Sequence, residues 1–197
     1  MTEMKQFTSL HTVKFQEEIK EDSTLVERWG VCDLRLMTGV KERWYGDQDH
    51  SRWIYGDRVS KRVYKIWNQT YVRRDNLLQA LKAGFFDEKL IPHFVGLIFQ
   101  EGFCRGYVTK MCEEYGTMVP DLFEHMKGKT LDTRFFFYDF CSKHIMMFEG
   151  KPCVIDLEAI YPLDQYKAKE EEHGRLGISG KFIQYDEYKN FLDDICD

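Results

Sequence analysis

Arg134 to Glu158 reads RFFFYDFCSKHIMMFEGKPCVIDLE, and the fold turns on how this stretch is read. An apolar run leads to Asp139, a short polar break covers Cys141 to His144, and two short apolar segments, IMMF and KPCVI, flank Glu149-Gly150. A two-residue loop ending in Gly between such segments is a hairpin signal, weaker than Asn-Gly or Asp-Gly. With the turn at 149 and 150, Ile145 faces Val154 and Lys143 faces Asp156, with His144 beside them. Facing Cα atoms of antiparallel strands lie about 4.5 to 5.5 Å apart, so Asp156 is expected close to His144 and Lys143, with Asp139 upstream in the same loop.

In these residues the chain resembles the protein-kinase-like fold. That family carries an Asp, four residues and usually an Asn, then a hairpin closed by Asp-Phe-Gly or Asp-x-Glu. Here the pattern is Asp139-Phe-Cys-Ser-Lys-His144 followed by Asp156-Leu157-Glu158, with His at the Asn position and Phe137-Tyr138 where His-Arg is usual. The resemblance covers roughly residues 40 to 165 and implies an α+β fold, a minimal two-lobed kinase-like architecture with an antiparallel N-terminal sheet and a reduced C-terminal lobe. The expected division falls at residue 112: residues 1–112 form the sheet lobe with one helix, and residues 113–197 form the hinge and reduced lobe.

Composition sets the outer bounds. The chain has 197 residues, 43% hydrophobic and 15% aromatic, enough to bury a core. A net charge of -5 argues against a nucleic-acid-binding surface spread over the domain, although Lys61, Arg62, Arg73 and Arg74 form a local basic patch. Cysteines 32, 104, 112, 141, 153 and 196 show neither a C-x-x-C pair nor zinc-ligand spacing and read as reduced thiols. The N-terminus lacks a signal-peptide pattern and no apolar run is long enough to span a bilayer, so a cytoplasmic protein without membrane partners is expected.

Residues 1–38 carry no motif. From Val40 the segments VKERWY, SRWIY and RVYKIW read as three antiparallel strands, the last placing Val63, Lys65 and Trp67 on one face and Arg62, Tyr64 and Ile66 on the other. Residues 73–86 read as a helix from Leu77, Leu81 and Phe85 at helical spacing, and HFVGLIFQEG with CRGYVTKMC as a hairpin around Glu101-Gly102. PDLFEHMKGK reads as a short helix with Pro120 in its first turn, DEYKNFLDDIC as a closing helix, and YPLDQYKAKEEEHGRLGISG as a charged surface segment.

The resemblance assigns roles. Lys65 matches the strand lysine that holds the α and β phosphates of ATP, Gly46 is the one glycine of the phosphate-covering loop, and backbone near Met111 to Glu113 takes the adenine. Asp156 and His144 are the ligands of Mg²⁺ or Mn²⁺, and Asp139 is the catalytic base. The Asp-Leu-Glu triplet resembles small-molecule and glycan kinases of this fold. It implies ATP-dependent phosphotransfer to a small-molecule or otherwise unidentified hydroxyl acceptor. Departures are the Gly-poor loop with Asp47 and Asp49, the absence of a helix Glu to pair with Lys65, whose partner is left open among Asp75, Asp87 and Glu88 with Glu88 preferred, and the missing Ala-Pro-Glu segment. Two alternatives stay open: an inactive pseudokinase that binds nucleotide as an interaction module, and a metal-dependent hydrolase in which Asp139, His144 and Asp156 activate water.

Overall fold

The computed structural model describes residues 31–33, 42–46, 52–67, 74–100, 103–138, 140–175, 183 and 185–196. The chain is α+β. It divides into two compact units, Met1–Arg74 with Phe94–Met111, and Asp75–His93 with Cys112–Asp197.

The first unit is built on a six-stranded sheet of β1 (Val31–Asp33), β2 (Glu42–Gly46), β3 (Arg52–Asp57), β4 (Arg62–Trp67), β5 (Phe94–Gln100) and β6 (Phe103–Lys110). The spatial order is β1-β5-β6-β4-β3-β2. β2, β3 and β4 form the expected antiparallel meander, and β5 and β6 the expected hairpin, with Gln100 opposite Phe103. β1 is the departure: it lies in a stretch without a motif, is three residues long, and pairs parallel to β5. The β3–β4 turn is held by Asp57, whose carboxylate accepts the N–H groups of Val59 and Ser60 and the Ser60 hydroxyl.

Alternation along β4 works as the sequence implies. Tyr64 and Ile66 join Tyr55, Ile98 and Val108 in a buried cluster, while Lys65 sits half-buried in register with Ile54 and Tyr107. Its ammonium lies 5.5 Å from the centre of the Tyr107 ring, which also contacts Trp67 and Phe94. β4 and β6 approach so closely here that a Cβ on Gly106 would stand 1.9 Å from the Lys65 carbonyl oxygen. Glycine is what lets the ladder close at Lys65.

The second unit contains four helices among the described residues: α1 (Arg74–Ala83), α2 (Pro120–Thr133), α3 (Tyr166–Arg175) and α4 (Asp186–Cys196). Around them run the short pair β7 (Phe135–Phe137) with β10 (Ile160–Pro162) and the hairpin of β8 (Ile145–Phe148) with β9 (Lys151–Val154). α1 buries Leu77, Leu78 and Leu81 and stops at Gly84, whose φ is 86°. There the N–H groups of Phe85 and Gly84 return to the carbonyls of Ala80 and Leu81, a Schellman closure that only an achiral residue adopts without strain. α2 starts on Pro120, where a missing N–H costs nothing, and runs on through Gly128 to a left-handed Arg134.

The core of this unit is aromatic. Phe85, Phe86, Phe137, Phe140 and Tyr188 meet edge-on or stacked at 5.2 to 5.9 Å. Tyr166 and Asp193 join α3 to α4 through a 2.7 Å hydrogen bond, and Lys189 bridges Glu170 and Asp193. The expected charged surface segment is thus partly a helix docked by its own charges. Among the described residues no helix is long and apolar enough to cross a membrane.

Candidate active site

The β8–β9 hairpin has the register read from the sequence: Ile145 opposite Val154, Met146 opposite Cys153, Phe148 opposite Lys151. Its turn explains the register. Glu149 and Gly150 both have positive φ, 50° and 73°, the two-residue geometry whose twist matches that of paired strands. The segment after β6 adds a third line to this ladder, since Glu113 N–H donates to Met147 O, Met147 N–H to Glu114 O, and Gly116 N–H to Ile145 O. β8 is therefore flanked on both sides.

Beyond Ile145 and Val154 the ladder does not continue. Ser142–His144 coil into one 3-10 turn, closed by His144 N–H on Cys141 O. Lys143 therefore points to solvent instead of facing Asp156, correcting the expected pairing. His144 takes that place: its Nε2 lies 3.8 Å from Asp156 Oδ2, and its carbonyl accepts Ile155 N–H. Both side chains are partly buried, 15% and 24% exposed. His144 Nδ1 is buried without a hydrogen-bond partner among the described residues. Asp156 holds φ at 58°, a left-handed conformation that a short polar side chain such as Asp adopts more readily than other non-glycine residues. Glu158, the last residue of the triplet, is fully buried.

Two donors 3.8 Å apart are too far for a hydrogen bond. They suit two ligands of one ion, which at bond lengths of about 2.1 Å stand roughly 3 to 4 Å from each other. The imidazole favours Mn²⁺ over Mg²⁺, whereas the carboxylate suits either. His144 and Asp156 thus fit a divalent ion.

The other candidate residues belong to different places. Lys65 and Gly46 lie in the first unit, on β4 and at the end of β2, where Gly46 pairs with Trp53. Met111 N–H already donates to Lys61 O, and Glu113 N–H to Met147 O, so a base read through those two donors would displace a bond. Glu88 is an exposed residue of the second unit. Asp139, Asp47 and Asp49 lie outside the described residues.

One cluster was not foreseen. His93, Cys112 and Cys153 bring their donor atoms within 4.8 Å of one another, all in the second unit, with the two sulfurs 3.7 Å apart. The S–H of Cys153 lowers the Cys112 pKa, while that bond and burial raise the Cys153 value. No short motif betrays the trio, because its members come from three distant segments. None of the five cysteines described at side-chain level is in a disulfide among the described residues.

Comparison with family models gives no match, and comparison with curated proteins gives none.

Proposed function

We propose that this chain is a minimal kinase-like phosphotransferase, moving the γ-phosphoryl group of ATP to a hydroxyl of a small-molecule acceptor. The observation that carries the reading is the pairing of His144 and Asp156 at the end of the hairpin, across a 3.8 Å gap suited to a shared ion. Asp156 and His144 hold the divalent cation, and that cation when bound neutralises the phosphate oxygens. Asp139 orients the acceptor hydroxyl and takes its proton as the oxygen bonds to the γ-phosphorus, the bond to the β–γ bridging oxygen breaks, and ADP leaves.

His144 at a position where an amide ligand is usual also supports a second reading, a module that binds nucleotide without turning it over. Thermal unfolding with ATP and Mg²⁺ or Mn²⁺ tests both. A ligand at a hundred times its Kd stabilises the folded state by about 2.7 kcal/mol, readily seen as a rise in Tm. The expected result is a metal-dependent rise with ATP that Asp156→Asn abolishes and Asp139→Asn spares, with turnover lost in both. Stabilisation without turnover favours the second reading, and no rise with any nucleotide and metal overturns both. A metal-dependent rise without nucleotide, together with ester hydrolysis, would point to the hydrolase instead.

A further inference from the structure

We infer that His93, Cys112 and Cys153 form a second metal site, a Cys₂His centre for one zinc ion, distinct from the His144–Asp156 pair. The spacing is the first argument. A tetrahedral centre with metal–sulfur bonds of about 2.3 Å sets its two sulfurs about 3.8 Å apart. Cys112 and Cys153 stand at 3.7 Å, with a His93 ring nitrogen within 4.8 Å of both.

Donor chemistry is the second argument. Two thiolates and one imidazole make a soft set that selects zinc over magnesium or calcium, which take oxygen ligands. His93 is 1% exposed and Cys153 fully buried, whereas Cys112 is half-buried and opens the centre to solvent on one side. Among the described residues these three side chains supply three donors of a tetrahedral set.

Placement is the third. His93 precedes β5, Cys112 follows β6, and Cys153 lies on β9. One ion would tie three separate segments of the second unit together, and the hairpin already holds Cys153 by its register with Met146. Binding is balanced in charge: each thiol gives its proton to solvent as its sulfur bonds to the ion, and the neutral imidazole donates a lone pair.

The full chain, reduced and freed of metal, is titrated with cobalt(II) as a spectroscopic stand-in for zinc. The expected result is one cobalt per chain, a thiolate-to-cobalt charge-transfer band and the intense visible bands of a tetrahedral centre, all erased by added zinc. Cys112→Ser, at the half-buried position, should keep the metal-free circular dichroism and weaken binding by at least about tenfold, the loss known even for residues that merely support ligands. Should that variant not fold, alkylation of the wild type decides: zinc must slow modification of Cys112 and Cys153 together. Absence of the charge-transfer band in reduced, folded protein overturns the site. Binding unchanged in Cys112→Ser, or alkylation rates indifferent to zinc, does so as well.

Discussion

Replacing Asp87 tests how the second unit is fastened. Its carboxylate accepts four hydrogen bonds. Oδ1 takes the N–H groups of Lys89 and Leu90 at 3.1 Å each, and Oδ2 meets His125 Nε2 at 2.8 Å and Lys129 Nζ at 2.9 Å. Lys129 also donates to the carbonyl of Gly84, the residue that ends α1. One side chain therefore pins the turn after α1 to two partly buried positions one turn apart on α2. Asp87→Ala removes all four bonds. The Lys89 donor is regained by water, but the Leu90 N–H is partly buried, and leaving it unpaired costs about 1 kcal/mol. Oδ2 and its two partners are about a quarter exposed, so screening reduces that contribution to roughly 1 kcal/mol more. The expected loss is about 2 kcal/mol for Asp87→Ala, and about half that for Asp87→Asn, which keeps an acceptor for the turn.

The pH dependence follows from the direction of the Asp87 shift. Burial raises its pKa, but the bonds from Lys129, Leu90 and His125 outweigh that and hold it below 3.8. A carboxyl depressed in the folded state binds its proton more readily when unfolded. Its contribution is thus complete above the unfolded value of 3.8 and lost as pH falls through the lower folded value. Urea unfolding at neutral pH and in acid, followed by circular dichroism, together with hydrogen exchange at Leu90, measures both parts. Equal stability of wild type and Asp87→Asn at neutral pH, or a deficit that persists unchanged well below the folded pKa, would refute the reasoning.

Further outcomes are open to direct measurement. Gly106→Ala forces a Cβ against the Lys65 carbonyl and should destabilise the first unit by about 3 kcal/mol. Gly150→Ala meets nothing within 4 Å and should cost only about 1 kcal/mol for its positive φ, so denaturation curves giving the reverse order would contradict both accounts. Tyr188→Phe should cost about 1–3 kcal/mol, because its hydroxyl accepts the buried Phe137 N–H and contacts Thr130. A Tyr188→Phe chain as stable as wild type would show that the Phe137 amide finds another partner. For the proposed ion, His144→Asn should raise Mg²⁺-supported turnover relative to Mn²⁺, since an amide oxygen suits the harder ion, and an unchanged metal preference would remove His144 from the ligand set.

Much of the local structure was legible where side-chain pattern and turn chemistry agreed. Glu149-Gly150 fixed the register of β8 and β9 because both residues adopt positive φ. Leu77 and Leu81 fixed the face of α1, which stops at Ala83, short of the expected residue 86, because the backbone turns at Gly84. Where a pattern was short or polar, sequence failed. β1 has three residues and takes its stability from β5, so no periodicity marks it. α3 is mostly charged, and its order comes from Tyr166 and Glu170 meeting α4, contacts that lie far apart in sequence. The extrapolated pairing of Lys143 with Asp156 failed for a local reason, because a 3-10 turn interrupts the strand one residue before Ile145. Of the candidate site, the sequence identified His144 and Asp156 as neighbours, while the zinc-like trio stayed hidden because only tertiary contact assembles it.

The two proposed ion sites make separable demands on one hairpin. Cys153 and Asp156 are three residues apart on the same strand and its exit, roughly 10 Å along an extended chain. That is too far for one ion to use both groups, yet close enough that the hairpin transmits disorder from one to the other. Hardness of the donors keeps the ions apart: thiolates and imidazole at one position, carboxylate and imidazole at the other. Zinc held by Cys112 and Cys153 should therefore act on the proposed phosphotransfer site through rigidity, not occupancy. Cys112→Ser should leave the Mg²⁺ or Mn²⁺ preference of turnover unchanged while speeding hydrogen exchange along β8 and β9. Asp156→Asn should abolish nucleotide-linked stabilisation while leaving the cobalt spectrum intact. If Asp156→Asn instead erased the cobalt bands, the two clusters would be one site and the assignment of His144 as an independent ligand would fail.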